Sequence, residues 1–197
     1  MGSTLIDESR VYKNRIENTV RGTNISYQRF YDTMLNFYRQ NKKGDYEAAK
    51  QYGLVLSDWC SEYEFLYSDS KACLEYFNKM GYKIGIIANQ LPGSKIRLQK
   101  FDIYKYISLV ITSAEENIFK PNLKIFEIAL KRAECIPKNA VMVGDRLDND
   151  IAPANKIGMN TVCIKRGFAK YYVPQNKYEI ADYTVNNLNE LYCLFEK

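Results

Sequence analysis

There is no histidine in the 197 residues of this chain. That absence removes Ser-His-Asp and Cys-His catalysis, HExxH zinc sites and every proton transfer that needs an imidazole. Chemistry here must rest on carboxylates, lysine, backbone amides and a hard metal ion. Long apolar runs are also missing. No stretch approaches the roughly 18 to 20 residues that span a bilayer, and the first residues lack the basic and apolar regions of a signal peptide. The five cysteines (Cys60, Cys73, Cys135, Cys163, Cys193) are widely spaced and form no CxxC pair. They read as reduced thiols in a cytoplasmic protein rather than as a disulfide framework or a thiolate metal site. Dense Lys/Arg runs are absent too. The net charge is only +5, and clusters such as Asn41-Lys42-Lys43 read as solvated loop, so neither nucleic acid nor membrane is an expected partner.

What is present is ordinary for a globular chain: 46% hydrophobic and 26% charged residues, in a length that holds one domain with room for an inserted unit. No internal repeat or low-complexity tract interrupts it. The texture changes once. From about residue 9 to 79 apolar positions recur three or four apart, as in Phe30, Met34, Phe37 and Tyr38, or Leu74, Phe77 and Met80, which predicts helices. The aromatics between Tyr46 and Tyr67 read as packing residues. From residue 82 onward short apolar runs alternate with amphipathic segments. KIGIIAN (83–89), ISLVITS (107–113), AVMVGD (140–145) and NTVCIKRG (160–167) each predict a strand buried on both faces, with DYTV (182–185) a weaker fifth. Between the second and third, Leu123, Phe126, Leu130 and Ala133 line one face of a helix that Pro121 precedes. IAPANKIGM predicts a short helix with Pro153 in its first turn and Gly158 at its end, and NNLNELYCLFEK a closing one. Alternating strands and helices imply an α/β fold, with a parallel sheet covered by helices on both faces.

Ligands of such sheets bind outside the carboxyl ends of the strands. VGDRLDND (143–150) is the strongest signal there. Asp145 leaves a strand tip and Asp150 opens the next helix, an oxygen-rich pair that suits a hard cation, with Mg2+ the natural candidate. Asp148 reads as solvated loop. Lys120, in NIFKPN, has Pro121 behind it to bias its backbone towards extension; a positioned ammonium there offsets the charge of a phosphate or of a carboxylate nucleophile. Asn89 leaves the first of these strands, where its amide can donate to a phosphoryl oxygen or simply close a turn.

In order, spacing and context these segments resemble the haloacid dehalogenase-like (HAD) hydrolase superfamily, over essentially the whole chain. YKIGIIANQ looks like its second motif, FKPNLKIF its lysine motif, VGDRLDNDIAPANKIGM its acidic motif and ADYTVNNLNEL its usual ending. The resemblance implies a Rossmann-like core over 1–8 and 80–197, with a helical C1-type cap over 9–79. It also implies a Mg2+-dependent phosphatase of a small phosphorylated substrate. Asn89, Lys120 and Asp145 would then be catalytic, Gly2, Ser3, Asn89 and Lys120 would bind phosphate, and Asp145 and Asp150 would hold the metal.

MGSTLIDES, residues 1–9, is similar to the family's first motif, DxDGT, entered at its second residue. The attacking Asp is then expected just before Met1, and the first, central strand is expected to be missing from the chain. Gly2 stands where the family has its second acid, and Ala88 where it has Ser or Thr. The 197 residues alone are therefore not expected to turn over, and an open sheet is expected to expose apolar surface. Two other readings follow from the same motifs: a non-catalytic HAD-fold protein that binds a ligand or partner, and a hydrolase of a non-phosphate substrate such as a haloacid.

Overall fold

The computed structural model describes residues 1–195; the last two residues of the expected closing helix lie outside them. In chain order the elements are β1 (Ile6–Asp7), α1 (Ser9–Val20), α2 (Tyr27–Tyr38), α3 (Gly44–Gln51), β2 (Phe65–Leu66), α4 (Ser70–Lys79) and β3 (Gly85–Ala88). There follow α5 (Ser94–Lys100), β4 (Leu109–Thr112), α6 (Ser113–Glu116), α7 (Leu123–Ala133), β5 (Val141–Gly144), α8 (Ala152–Lys156), β6 (Asn160–Ile164), β7 (Tyr183–Val185) and α9 (Glu190–Phe195). All five strands read from sequence are present, each trimmed at one or both ends.

The parallel sheet comes in two pieces. β3 pairs with β4 (Gly85 opposite Leu109, Ala88 opposite Thr112), and β5, β6 and β7 pair in that order. No ladder joins β3 to β5. The two pieces nevertheless share the same faces. Ile86, Val141 and Val143 pack into one core with Cys73 and Leu74 of α4 and Leu191 of α9. Ile87 and Met142 turn the other way, into a core with Phe126 of α7 and Ala154 of α8. Successive strand side chains alternate between faces, so these are two parts of one sheet. Between them lies a cavity of about 580 Å³, lined by Ile86, Ile87, Met142 and Val143, with Met1, Lys120 and Asp150 also on its wall. The sequence reading expects a gap at the centre of the sheet; the structure sets it between β3 and β5. It also corrects one expectation: Val141–Val143 are only half-buried, whereas Thr161–Ile164 of β6, flanked on both sides, are buried.

β1 and β2 form a short antiparallel ribbon, Ile6 opposite Leu66, which closes the base of the excursion through α1, α2 and α3. In α2 the Ser26 hydroxyl accepts from the amide of Arg29 as an N-cap. Its Phe30, Met34 and Tyr38 are buried with Ala48 and Ala49 of α3, and against Leu147, Ile151, Ala169 and Tyr172. Phe30 and Met34 are wholly buried, contributing about 1.5–3 kcal/mol each. The excursion is thereby pinned over the loops that leave β5 and β6. α4 packs on the sheet instead. α7 also departs from expectation: its buried face is Ile125, Phe126 and Ala129. Leu130 and Ala133 line the sheet cavity, because α7 covers β3 and β4 and leaves that flank over the gap.

Candidate active site

The site is built where β5 ends. A Cβ on Gly144 would lie 2.5 Å from both Cβ and Oδ2 of Asp150, so only a glycine lets the Asp150 side chain fold back over the strand tip. There its Oδ2 accepts from the Arg146 amide at 3.0 Å, closing the turn. Its Oδ1 accepts from Lys120 Nζ at 2.5 Å, with both side chains buried. Burial alone would push the Asp150 carboxyl up, but the Lys120 charge and hydrogen bond outweigh it and hold the group below its ordinary value. Asp145 has no such partner. Its Oδ1 accepts from Thr4 Oγ1 at 3.1 Å, and burial, then the neighbouring Asp150 charge, raises it to about 6. Asp148 pairs with Arg146 through bonds of 2.8 and 2.6 Å and is half-exposed, away from this pair.

A buried carboxylate, Asp150, and a half-buried one short of positive charge, Asp145, are a hard-oxygen donor set that a divalent cation satisfies. Among the described residues no group of three or more His, Cys, Asp or Glu converges. Mg2+ needs only one or two carboxylates when waters and substrate oxygens complete its shell. Asp145 and Asp150 fit that ion.

Residues 4–164 match the model of the haloacid dehalogenase-like hydrolase family. The chain belongs to that family. It is 30% identical over 191 residues to the glyceraldehyde 3-phosphate phosphatase of Methanopyrus kandleri, covering 95% of this chain and 80% of that one. In structure it resembles a HAD phosphatase from Thermococcus onnurineus, with a TM-score of 0.69, 27% identity, and 98% and 94% of the two chains covered. A putative HAD-hydrolase of Bacillus subtilis, solved bound to magnesium, has the same fold: TM-score 0.73, 15% identity, 100% and 96% covered.

In this HAD-like hydrolase the sequence-predicted residues come together around a cavity of about 180 Å³: Gly2, Ser3, Asn89, Lys120, Asp145 and Asp150 all line it. Two of them are used differently from their simplest reading. Asn89 Nδ2 donates to the Lys120 carbonyl at 2.9 Å, and its Oδ1 accepts from the Lys120 amide at 2.7 Å. One amide proton remains for a ligand, and the clamp sets where the Lys120 side chain starts. Ser3, at φ 54°, donates its hydroxyl to Glu8 Oε2 at 3.0 Å and its amide to the Ile6 carbonyl at 2.8 Å. The Met1 α-amino group faces Lys120, Asp145, Asp150 and Glu8, and burial, then the Lys120 charge, lowers its pKa.

Other residues that line the cavity are not singled out as site residues in the sequence. Tyr12, Tyr38 and Lys43 reach the cavity from α1, α2 and the turn before α3, with Arg146, Phe168 and Tyr172 opposite. The Tyr38 ring stacks on Phe168 at 4.3 Å between centroids. The aromatics of 46–67 do not line this cavity, but the packing expectation holds only in part. Tyr52 packs on the α2–α3 core, and Trp59 donates to Glu64 at 2.8 Å and lies edge-on to Tyr12, whereas Tyr46, Tyr63 and Phe65 are exposed. Arg166 is buried, donates to the Thr4 carbonyl at 3.0 Å and pairs with buried Asp69. It thus ties the loop of residues 2–5 to the end of β6.

Proposed function

We propose that this HAD-like hydrolase is a Mg2+-dependent phosphatase of a small phosphate ester, of the triose phosphate class, working in the cytoplasm. The observation that carries it is the buried Lys120–Asp150 pair at a strand tip with Asp145 beside it, on a cavity of about 180 Å³. That volume suits a phosphorylated three-carbon molecule better than a sugar nucleotide, and the relative from Methanopyrus kandleri acts on such a molecule. Five free thiols support a reducing compartment.

The roles follow from charge. Asp145 and Asp150 would hold Mg2+, which when bound supplies positive charge to the phosphoryl oxygens. Lys120 offsets the negative charge gathered between substrate and carboxylates, Asn89 fixes Lys120, and Gly2 and Ser3 border the phosphate. The attacking carboxylate would belong to the residue bonded to the Met1 nitrogen. What supports this is that the Met1 amine faces Lys120, Asp145 and Asp150, and that the sheet cavity runs up to Met1. A strand seated there would deliver its last side chain to the cluster and form an aspartyl-phosphate. Of residues 9–79, the part from α1 to the β1–β2 ribbon would act as the cap; α4, packed on the sheet, would belong with 1–8 and 80–197 to the core.

The test is Mg2+-dependent phosphate release from glyceraldehyde 3-phosphate and from 4-nitrophenyl phosphate. A chain in which a strand ending in Asp precedes Met1 should turn over, and a chain starting at Met1 should not. Asp145→Asn should reduce turnover at least 100-fold, as loss of metal-borne charge stabilisation does. Turnover that survives Asp145→Asn sinks the metal assignment. Release of halide from a haloacid, with no phosphate release, would give the family's other chemistry instead.

A further inference from the structure

Position 2 should carry an acid by the pattern of the first motif and carries glycine. Directly over that glycine lies another carboxylate. A Cβ built on Gly2 would fall 2.0 Å from Glu8 Oε1, 2.6 Å from its Cδ and 2.7 Å from its Oε2. Glu8 stands where β1 gives way to α1. Its side chain is 14% exposed, and it lines the same cavity as Lys120, Asp145 and Asp150. We propose that Glu8 is the acid–base catalytic residue of this site, its carboxyl occupying the space a side chain at position 2 would fill. This rests on the phosphatase reading above.

The surroundings suit a group that gives and takes a proton. Ser3 donates one hydrogen bond at 3.0 Å, and Arg97 approaches no closer than 4.0 Å. Arg97 is held by Glu64 and Gln90 through bonds of 2.6–2.7 Å. The other titratable groups facing Glu8 are Asp145, Tyr12 and Tyr67, together with the Met1 amine, which becomes an uncharged amide once a residue precedes Met1. Burial, then the Asp145 charge, raises its carboxyl from 4.5 to about 7, so near neutrality both forms are populated. In the first step the nucleophilic carboxylate forms its bond to phosphorus as the bridging P–O bond breaks. Glu8 gives its proton to the departing alkoxide, which leaves as the alcohol. In the second step water attacks phosphorus and passes a proton to the Glu8 carboxylate. The aspartyl P–O bond breaks, and phosphate, the free nucleophile and protonated Glu8 result.

The experiment compares phenyl phosphate, whose leaving group needs a proton, with 4-nitrophenyl phosphate, whose leaving group needs it far less, in the chain in which a strand ending in Asp precedes Met1. Glu8→Gln, nearly isosteric, should slow phenyl phosphate about 100-fold or more, the scale of general acid–base catalysis. It should slow 4-nitrophenyl phosphate at least tenfold less and remove the limb of the pH profile near neutrality. Gly2→Asp combined with Glu8→Ser, which moves the carboxylate to position 2, should restore phenyl phosphate turnover. Equal losses on both substrates, or none, overturn the proposal while leaving the phosphatase reading intact. A parent protein that turns over neither substrate with Mg2+ overturns both.

Discussion

Two glycines of this protein each lie beneath a carboxylate six residues downstream, and the two pairs behave oppositely. Gly144 lies under Asp150 and Gly2 under Glu8. Lys120 reaches Asp150 at 2.5 Å and holds it below its ordinary pKa, whereas Glu8 has a serine hydroxyl and a distant arginine and is raised to about 7. The same local device thus yields one permanent anion, fit for a cation, and one proton-exchanging acid. What separates them is whether a buried ammonium is within reach. A second contrast is steric. Asp150 presses on Gly144 with its Cβ, which is fixed to the backbone, while Glu8 meets the Gly2 position with the far end of a flexible side chain.

Removing the ammonium breaks the contrast most severely. Lys120→Met leaves buried Asp150, with Asp145 beside it, without its cation. It should lower stability by about 3–5 kcal/mol in urea unfolding monitored by circular dichroism, and abolish turnover. Next comes the pH dependence of Glu8. Its folded pKa of about 7 lies above its ordinary 4.5, so the folded state holds the extra proton between those values. Its contribution therefore favours folding at low pH and is lost as pH rises through about 7. Glu8→Gln should change stability little at pH 4.5 and raise it by up to about 3 kcal/mol at pH 8.5. A variant equally stabilised, or unaffected, at both pH values would show that the carboxyl is not held uncompensated. The smallest effects sharpen the steric difference: Gly144→Ala should cost about 1–3 kcal/mol through overpacking, and Gly2→Ala less than about 1 kcal/mol, because Glu8 can swing aside. Thermal melts of the two variants side by side give the order.

Much of this architecture is legible in the order of the amino acids. Four of the five strands announce themselves as apolar runs; Asn89 and Asp145 leave strand ends and Lys120 follows α6, in the order their motifs require. Helical periodicity places α7 and the burial of Phe126 correctly but rotates the face, since Ile125 and Ala129 are buried where Leu123, Leu130 and Ala133 are expected. Leu123, Leu130 and Ala133 are as apolar as Ile125 and Ala129, and which flank is covered depends on the gap beside β3. Asn89 reads as a donor to a ligand, yet most of its amide serves the Lys120 backbone across 31 residues of sequence. Glu8 carries no sign at all, since nothing in IDES distinguishes a solvated carboxylate from a buried one.

The sequence by itself determined the alternation of strands and helices, the family, and the residues that gather at the strand tips. Those follow from local periodicity and from short motifs whose spacing is a property of the chain. Only the tertiary structure decided which carboxylate meets Lys120, which one lies uncompensated over Gly2, and where the sheet is open. Those outcomes depend on burial and on charges brought together from distant segments, and the energy of a buried charge is fixed by its neighbours in space.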